Sequence, residues 1–339
     1  MLYILVYAAL LVAEVLSRGS RALYYICLIG LFLFAGFRYE VGCDWSGYLN
    51  IFQLASNKVI TLQTPEAAFW TANKLLHDFE FDYPSINVIS SIFFFLGLNA
   101  LAKRQPDPIG ILTLAFPILI LNLAMSGIRQ AVAVGLFCFA CNAFIESRLF
   151  CFILLVLIGS TFHSSVLFFL TLAPFVRGEY TTRRVALGAL LALPGVYYFL
   201  TSATFEVYSQ RYVGTGAEAS GAPFRTGLLA LTGIAFLWFL DDKWKASFIQ
   251  DYKLVKICSV MMILTVPLAV YSSVMGDRVG YYLIPAQLMI LTRLPLLVRG
   301  RYAAQIAFAP YAAAALFLAT WVNLSGLFEQ CYGSYQTWL

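Results

Sequence analysis

The sequence predicts an all-α polytopic membrane protein, and three observations carry that prediction. Of 339 residues, 61% are hydrophobic and only 12% charged, against about 25% charged in an ordinary soluble domain. Mean hydropathy is +0.81. Apolar runs recur from one end of the chain to the other, at roughly the 20-residue length a helix needs to cross the hydrocarbon core. No stretch is left over for a large soluble domain, so 1–339 reads as a single transmembrane domain.

Taken in order, the expected spans are 2–17, 22–38, 85–102, 109–126, 128–146, 149–161, 162–176, 185–202, 225–241, 254–272, 279–298 and 302–322, twelve in all. The first has no basic residue before it and no small-residue cleavage site after it. It therefore reads as a retained span and not as a signal peptide. The sixth and seventh share only the 28 residues from Leu149 to Val176, too few for two full crossings. They are expected as a pair of short helices or a re-entrant hairpin, which is tolerated only where protein or a water-filled cavity surrounds it.

Lysine and arginine set the orientation. Fifteen of the 22 fall in one set of alternate loops, from Arg18 and Arg21 through Lys103, Arg104 and Arg148 to Arg293, Arg299 and Arg301. The other set holds seven: Arg38, Lys58, Lys74, Arg129, Arg211, Arg225 and Arg278. The richer set is cytoplasmic by this rule, and both termini then face outward. This asymmetry accounts for the net charge of +5. With no basic run and no aromatic-interleaved basic patch, a nucleic-acid partner is excluded.

The longest segment outside the spans, Tyr39 to Pro84, is outward and acidic. Within it, Thr64-Pro65-Glu66 supplies a hydroxyl cap, a proline for the first helical position and an acid for the first turn. Phe69, Ala72, Leu76 and Phe79 follow at helical spacing, predicting an amphipathic helix on the membrane surface. A second outward loop, Ser202 to Pro223, is rich in small residues. Glu14 is expected to pair with Arg18 at i+4. Cys138 and Cys141 lack a neighbouring His or carboxylate, so no metal site is expected. Cys43 and Cys331 share the outward side, but nothing in the sequence brings them together, and no disulfide between them is expected.

Orientation does not explain the outward arginines. An unpaired guanidinium near a span end is costly unless it snorkels or pairs, and its fork of donors matches phosphate or carboxylate. Arg38 leads into Arg38-Tyr39-Glu40-Val41-Gly42-Cys43-Asp44, where glycine permits a turn bringing Arg38 and Asp44 into one corner. Arg129-Gln130 opens the fifth span after Ser126-Gly127, joining a cation to the positive end of a helix. His163 lies in Ser160-Thr161-Phe162-His163-Ser164-Ser165, the apex of the short hairpin, with a pKa suited to acid–base work. Asp277-Arg278 precedes Gly280-Tyr281-Tyr282, whose rings are candidates for sugar stacking, and Arg211 stands in the second loop. Each has a plainer alternative. Arg38 would close a loop by a salt bridge, Arg129 would reach headgroups, His163 would be a satisfied buried histidine, and the tyrosines would form an interface belt. Together, several arginines with one Asp and one His on a single side fit a lipid diphosphate held where water is scarce.

In their order and spacing, Arg-x-x-x-Gly-x-Asp after an early span, Arg-Gln opening a middle span, His-Ser-Ser between short helices and late Asp-Arg-x-x-Tyr-Tyr resemble the EpsG-like, Wzy-type polysaccharide polymerases. The resemblance implies a GT-C-type glycosyltransferase of the bacterial inner membrane. Such an enzyme joins undecaprenyl-pyrophosphate-linked repeat units at the periplasmic face, in O-antigen, capsule or exopolysaccharide synthesis. It implies no cofactor, and it implies a chain-length regulator and a flippase as partners beside the membrane lipids. Carried over by position, it points to Arg38, Arg129 and Arg278 for the pyrophosphate, with His163 and Asp44 for catalysis. Gln130, Arg211, Tyr281 and Tyr282 fall to sugar or lipid contact. Rival readings are a flippase for the same lipid-linked sugars, an O-antigen ligase and a membrane acyltransferase. A flippase would place charge along a path through the midplane, which here is nearly free of it.

Overall fold

Backbone in hydrocarbon must satisfy its own hydrogen bonds, and helices do so within one segment. The computed structural model, which describes residues 1–17, 19–61, 64–178, 181–201 and 221–338, is accordingly built of helices. They are α1 (Leu2–Ser17), α2 (Arg21–Gly36), α3 (Trp45–Ala55), α4 (Ala67–Asp78), α5 (Pro84–Ala102), α6 (Pro108–Ala115), α7 (Ile128–Ile145) and α8 (Leu149–Ser160). After these come α9 (Thr182–Thr201), α10 (Ala222–Ala235), α11 (Asp241–Ser247), α12 (Ile249–Tyr271), α13 (Ser273–Thr292), α14 (Leu294–Leu297), α15 (Ala303–Leu324) and α16 (Gly326–Tyr332). Among the described residues, five helices are long and apolar enough to cross a membrane: Pro84–Ala102, Ile128–Ile145, Ala222–Ser247, Ile249–Tyr271 and Ala303–Leu324. Shorter apolar helices, among them Leu2–Leu16, Arg21–Gly36 and Pro108–Ala124, accompany them.

Two departures from α geometry have local causes. Pro117 has no N–H to donate, and from Phe116 to Ala124 the helix continues α6 in wider π turns. The short pair resolves into α8 and a 3-10 helix, Ser164–Phe175, joined at Thr161–His163. At about 2.0 Å rise per residue, the 12 residues of the 3-10 arm reach about 24 Å, where an α-helix would cover about 18 Å. Tighter winding lets a short segment reach further.

The chain divides into two compact units. The first comprises Met1–Leu136, Thr161–His163 and Leu291–Leu339, and the second Phe137–Ser160 and Ser164–Ile290. In the first, α1 packs on α2, α6 and α15, while α2 packs on α5. Leu98, Leu101, Ile111, Leu112, Ala115 and Phe116 form a core closed to solvent. Gly97 and Gly135 let two backbones meet, since a Cβ on Gly97 would stand 2.0 Å from the Gly135 carbonyl oxygen. In the second, α10 packs along α12, and the 3-10 helix packs on both α8 and α9. Trp244, fully buried beside Phe236, donates its indole N–H to Asp251 at 2.9 Å.

At one end of the first unit, the segments that sequence assigned to a common side come together. Residues Arg38–Tyr39 (β1) pair antiparallel with Gln336–Thr337 (β2). Tyr3 donates to the Tyr332 carbonyl at 2.9 Å, and the Ala68 N–H donates to Thr161 at 3.1 Å. Cys43 and Cys331 form a disulfide with their Cα atoms 4.7 Å apart, which corrects the expectation of unpaired thiols. The C-terminal segment, running back to β1, is what brings them together. Gly42 donates to the Cys331 carbonyl at 2.8 Å and adopts φ +111°, and a Cβ there would lie 2.0 Å from the Met125 carbonyl oxygen. Only glycine fits that turn.

Other expectations also needed correction. Thr64 does not cap α4: its hydroxyl accepts from the Thr61 N–H at 2.9 Å, and Glu66 takes the cap position in left-handed conformation. The apolar stripe of α4 is spent on protein instead of on a membrane surface. Phe69 is buried with Tyr48, Phe52, Tyr83, Ile86 and Ile128, and Ala72 and Leu76 pack against that cluster, leaving Phe79 exposed. Glu14 sits against Tyr311 and Asp107, and its expected partner Arg18 lies outside the described residues. Arg211 and the loop 202–220 also lie outside them, whereas Ala222 and Pro223 already belong to α10.

Candidate active site

The rim of the first unit begins with Arg38. At 2% exposure its guanidinium must find acceptors. It donates to the Ala35 carbonyl at 2.6 Å, the Val41 carbonyl at 3.0 Å and Asn87 Oδ1 at 3.1 Å. The side chain therefore holds together the end of α2, the Gly42 turn and α5. Asp44 follows at the exposed start of α3.

From the opposite side, Ser126 fixes the approach to α7. The Cys43 N–H donates to its hydroxyl at 3.0 Å, the Tyr332 hydroxyl lies 2.6 Å from it, and Tyr332 donates in turn to the Leu121 carbonyl at 3.1 Å. Arg129 stands in the first turn of α7, with Gln130 buried beside it. Its guanidinium pairs with Glu66, lies within 3.5 Å of the Tyr48 hydroxyl and passes over the rings of Tyr48 and Phe69 at 5.5 and 5.8 Å. About 30% of the Arg129 side chain remains exposed. Burial pushes the Tyr48 phenol up, with the Arg129 charge opposing it, and Tyr83 is raised in the same way against Arg38. Both phenols stay protonated at neutral pH and can donate.

His163 is buried in the Thr161–His163 turn. Its neighbour Phe162 packs on the cluster that contains Tyr48, Phe69 and Ile128, the residue before Arg129. A single apolar cluster thus underlies both the arginine and the histidine turn. The Ala68–Thr161 hydrogen bond ties that turn to the helix that Glu66 opens.

The second unit carries its own charged group. Arg225, in the first turn of α10, donates from Nε and from its other fork nitrogen to the two carboxylate oxygens of Asp277, at 2.6 and 2.8 Å. The Tyr281 ring lies 5.7 Å from that guanidinium. Arg278 is half-buried next along α13. Tyr282 is fully buried against Phe137 and Phe169, its hydroxyl accepting from Ser165 at 3.2 Å, and its ring belongs to the core. Arg225, Glu66 and Tyr48 were not assigned to the site from the sequence. Their signals were faint: Arg225 opens a span as Arg129 does, and Glu66 is an acid ahead of an amphipathic helix.

A chain of many apolar helices, several of them long enough to cross a membrane, defines a multi-pass membrane protein. The family model that matches residues 21–337 is that of the EpsG family, and the chain belongs to that family of Wzy-like polysaccharide polymerases. No curated protein and no solved structure matches the chain. Among the described residues, no group of three or more His, Cys, Asp or Glu could hold a metal ion.

Proposed function

We propose that this chain is a GT-C-like glycosyltransferase crossing the inner membrane about 12 times. It would transfer a growing glycan from undecaprenyl pyrophosphate to the terminal sugar of a second lipid-linked repeat unit, at the periplasmic face. The observation that carries the proposal is the Arg129–Glu66 pair, within a family of polysaccharide polymerases. The guanidinium is partly open to solvent, and its fork of donors suits a diphosphate in place of Glu66. The Cys43–Cys331 disulfide on this rim supports its facing the periplasm, because disulfides persist in oxidising compartments.

In the reaction, the acceptor oxygen forms a bond to the donor anomeric carbon as the bond from that carbon to the pyrophosphate oxygen breaks. The acceptor proton passes to His163, with Asp44 orienting or replacing it. Arg129 balances charge on the departing pyrophosphate, while Arg38 keeps the corner in shape. Gln130 and Tyr281 are assigned to sugar or lipid contact. A chain-length regulator and a flippase complete the expected partners.

The test is a glycan ladder from cells carrying single variants. Arg129→Ala is expected to leave single capped repeats and no polymer, with the protein still at wild-type level in the membrane. Polymer of normal length from that variant would sink the reading.

A further inference from the structure

A cleft of about 430 Å³ opens in the first unit at the Arg21 end of α2, the end opposite the Arg38 corner. It is lined by Arg21, Lys103, Arg104, Tyr24, Tyr25 and Asp107, among others. Three of these are cations, brought together from the start of α2 and the exit of α5. Among the described residues, Asp107 is the one lining carboxylate, so the lining keeps a net positive charge. Asp107 Oδ1 accepts from the Gly110 N–H at 2.8 Å, capping α6, and Oδ2 accepts from the Tyr311 hydroxyl at 3.1 Å.

The floor is fixed, because Tyr24 is buried and donates to Asn99 Oδ1 at 2.9 Å, linking α2 to α5. Beside the cleft, Tyr25 is exposed, and Ile26, Ile29 and Leu33 continue the same outer stripe of α2 at helical spacing. A basic pocket is therefore continuous with exposed apolar surface that runs on from Tyr25 along α2. A free anion would need only the pocket; a lipid needs both parts.

We propose that this cleft binds the phosphate headgroup of an anionic glycerophospholipid, with its acyl chains lying along Ile26, Ile29 and Leu33. Arg21, Lys103 and Arg104 hold the phosphate, and Tyr25 sits at headgroup depth as interfacial tyrosines do. The site is independent of the polymerase chemistry. It lies at the end of α2 that carries the Lys and Arg excess, where anionic lipids of the inner leaflet collect.

Native mass spectrometry of the full-length protein in detergent, titrated with phosphatidylglycerol, phosphatidylethanolamine or inorganic phosphate, tests it. Wild type is expected to retain phosphatidylglycerol over phosphatidylethanolamine. Replacing one cation (Arg21→Gln or Lys103→Gln) is expected to weaken retention about fivefold, and replacing all three with Gln about a hundredfold. A control carrying Arg183→Gln, Arg299→Gln and Arg301→Gln removes the same charge elsewhere and should bind as wild type does. Should the triple variant fail to fold, the single variants decide. Equal retention of the two lipids overturns the proposal, as does an equal loss in the control. Saturable binding of inorganic phosphate that no lipid displaces would assign the cleft to a free anion and overturn it too.

Discussion

Arg129–Glu66 and Arg225–Asp277 each join an arginine in the first turn of an apolar helix to a carboxylate, yet water reaches them differently. The Arg129 side chain is 30% exposed and that of Arg225 only 9%. Arg225 spends two fork donors on both oxygens of Asp277, whereas the contacts of Arg129 include Glu66, a phenol and two ring faces. The lesson is that similar residues in similar helical positions do different work. A desolvated bidentate pair is held in place because opening it strands a charge. A half-wet, shared guanidinium can trade partners.

Breaking the closed pair should have the largest effect. Asp277→Ala leaves Arg225 buried without its counter-ion and is expected to cost about 3–5 kcal/mol, read as a lowered unfolding midpoint in detergent. Adding Arg225→Met to Asp277→Leu should restore most of that loss. A wild-type midpoint for Asp277→Ala would mean that this pair opens as freely as the other. Next comes the frame around the open pair: Cys43→Ser with Cys331→Ser is expected to cost about 2–4 kcal/mol by the same measurement. Gly42→Ala forces a side chain into a left-handed turn against the Met125 carbonyl. It should cost about 1–3 kcal/mol from backbone strain, with less disulfide formed, as counted by thiol labelling. The smallest stability effect belongs to Glu66→Gln, expected at under about 1 kcal/mol because the pair is partly solvated. That variant should also bind inorganic pyrophosphate more tightly than wild type in calorimetry, because Arg129 no longer has to give up a carboxylate. Unchanged or weaker binding would place Glu66 and Arg129 with the structural pairs.

Much of the architecture could be read from the chain because its causes are local. Span ends such as Pro84, Pro108 and Ile128 fall within a residue or two of expectation, since apolar runs and prolines mark them directly. The short pair near 149–176 was legible as an anomaly of length. Its resolution into an α arm and a 3-10 arm was not, because winding depends on what each arm packs against. Arg129 and His163 stood out by residue type and position. Arg38 also stood out, but its three acceptors come from α2, the Gly42 turn and α5, and no spacing rule foretells that set.

Composition and hydropathy determined that this protein is a many-helix membrane chain, because transfer into lipid is a property of each segment alone. Partner choice was decided only by the tertiary structure. Glu66 meets Arg129 across 63 residues, Arg225 meets Asp277 across 52, and Cys43 meets Cys331 across 288. Contacts at such separations form only once helices have packed and brought their ends together.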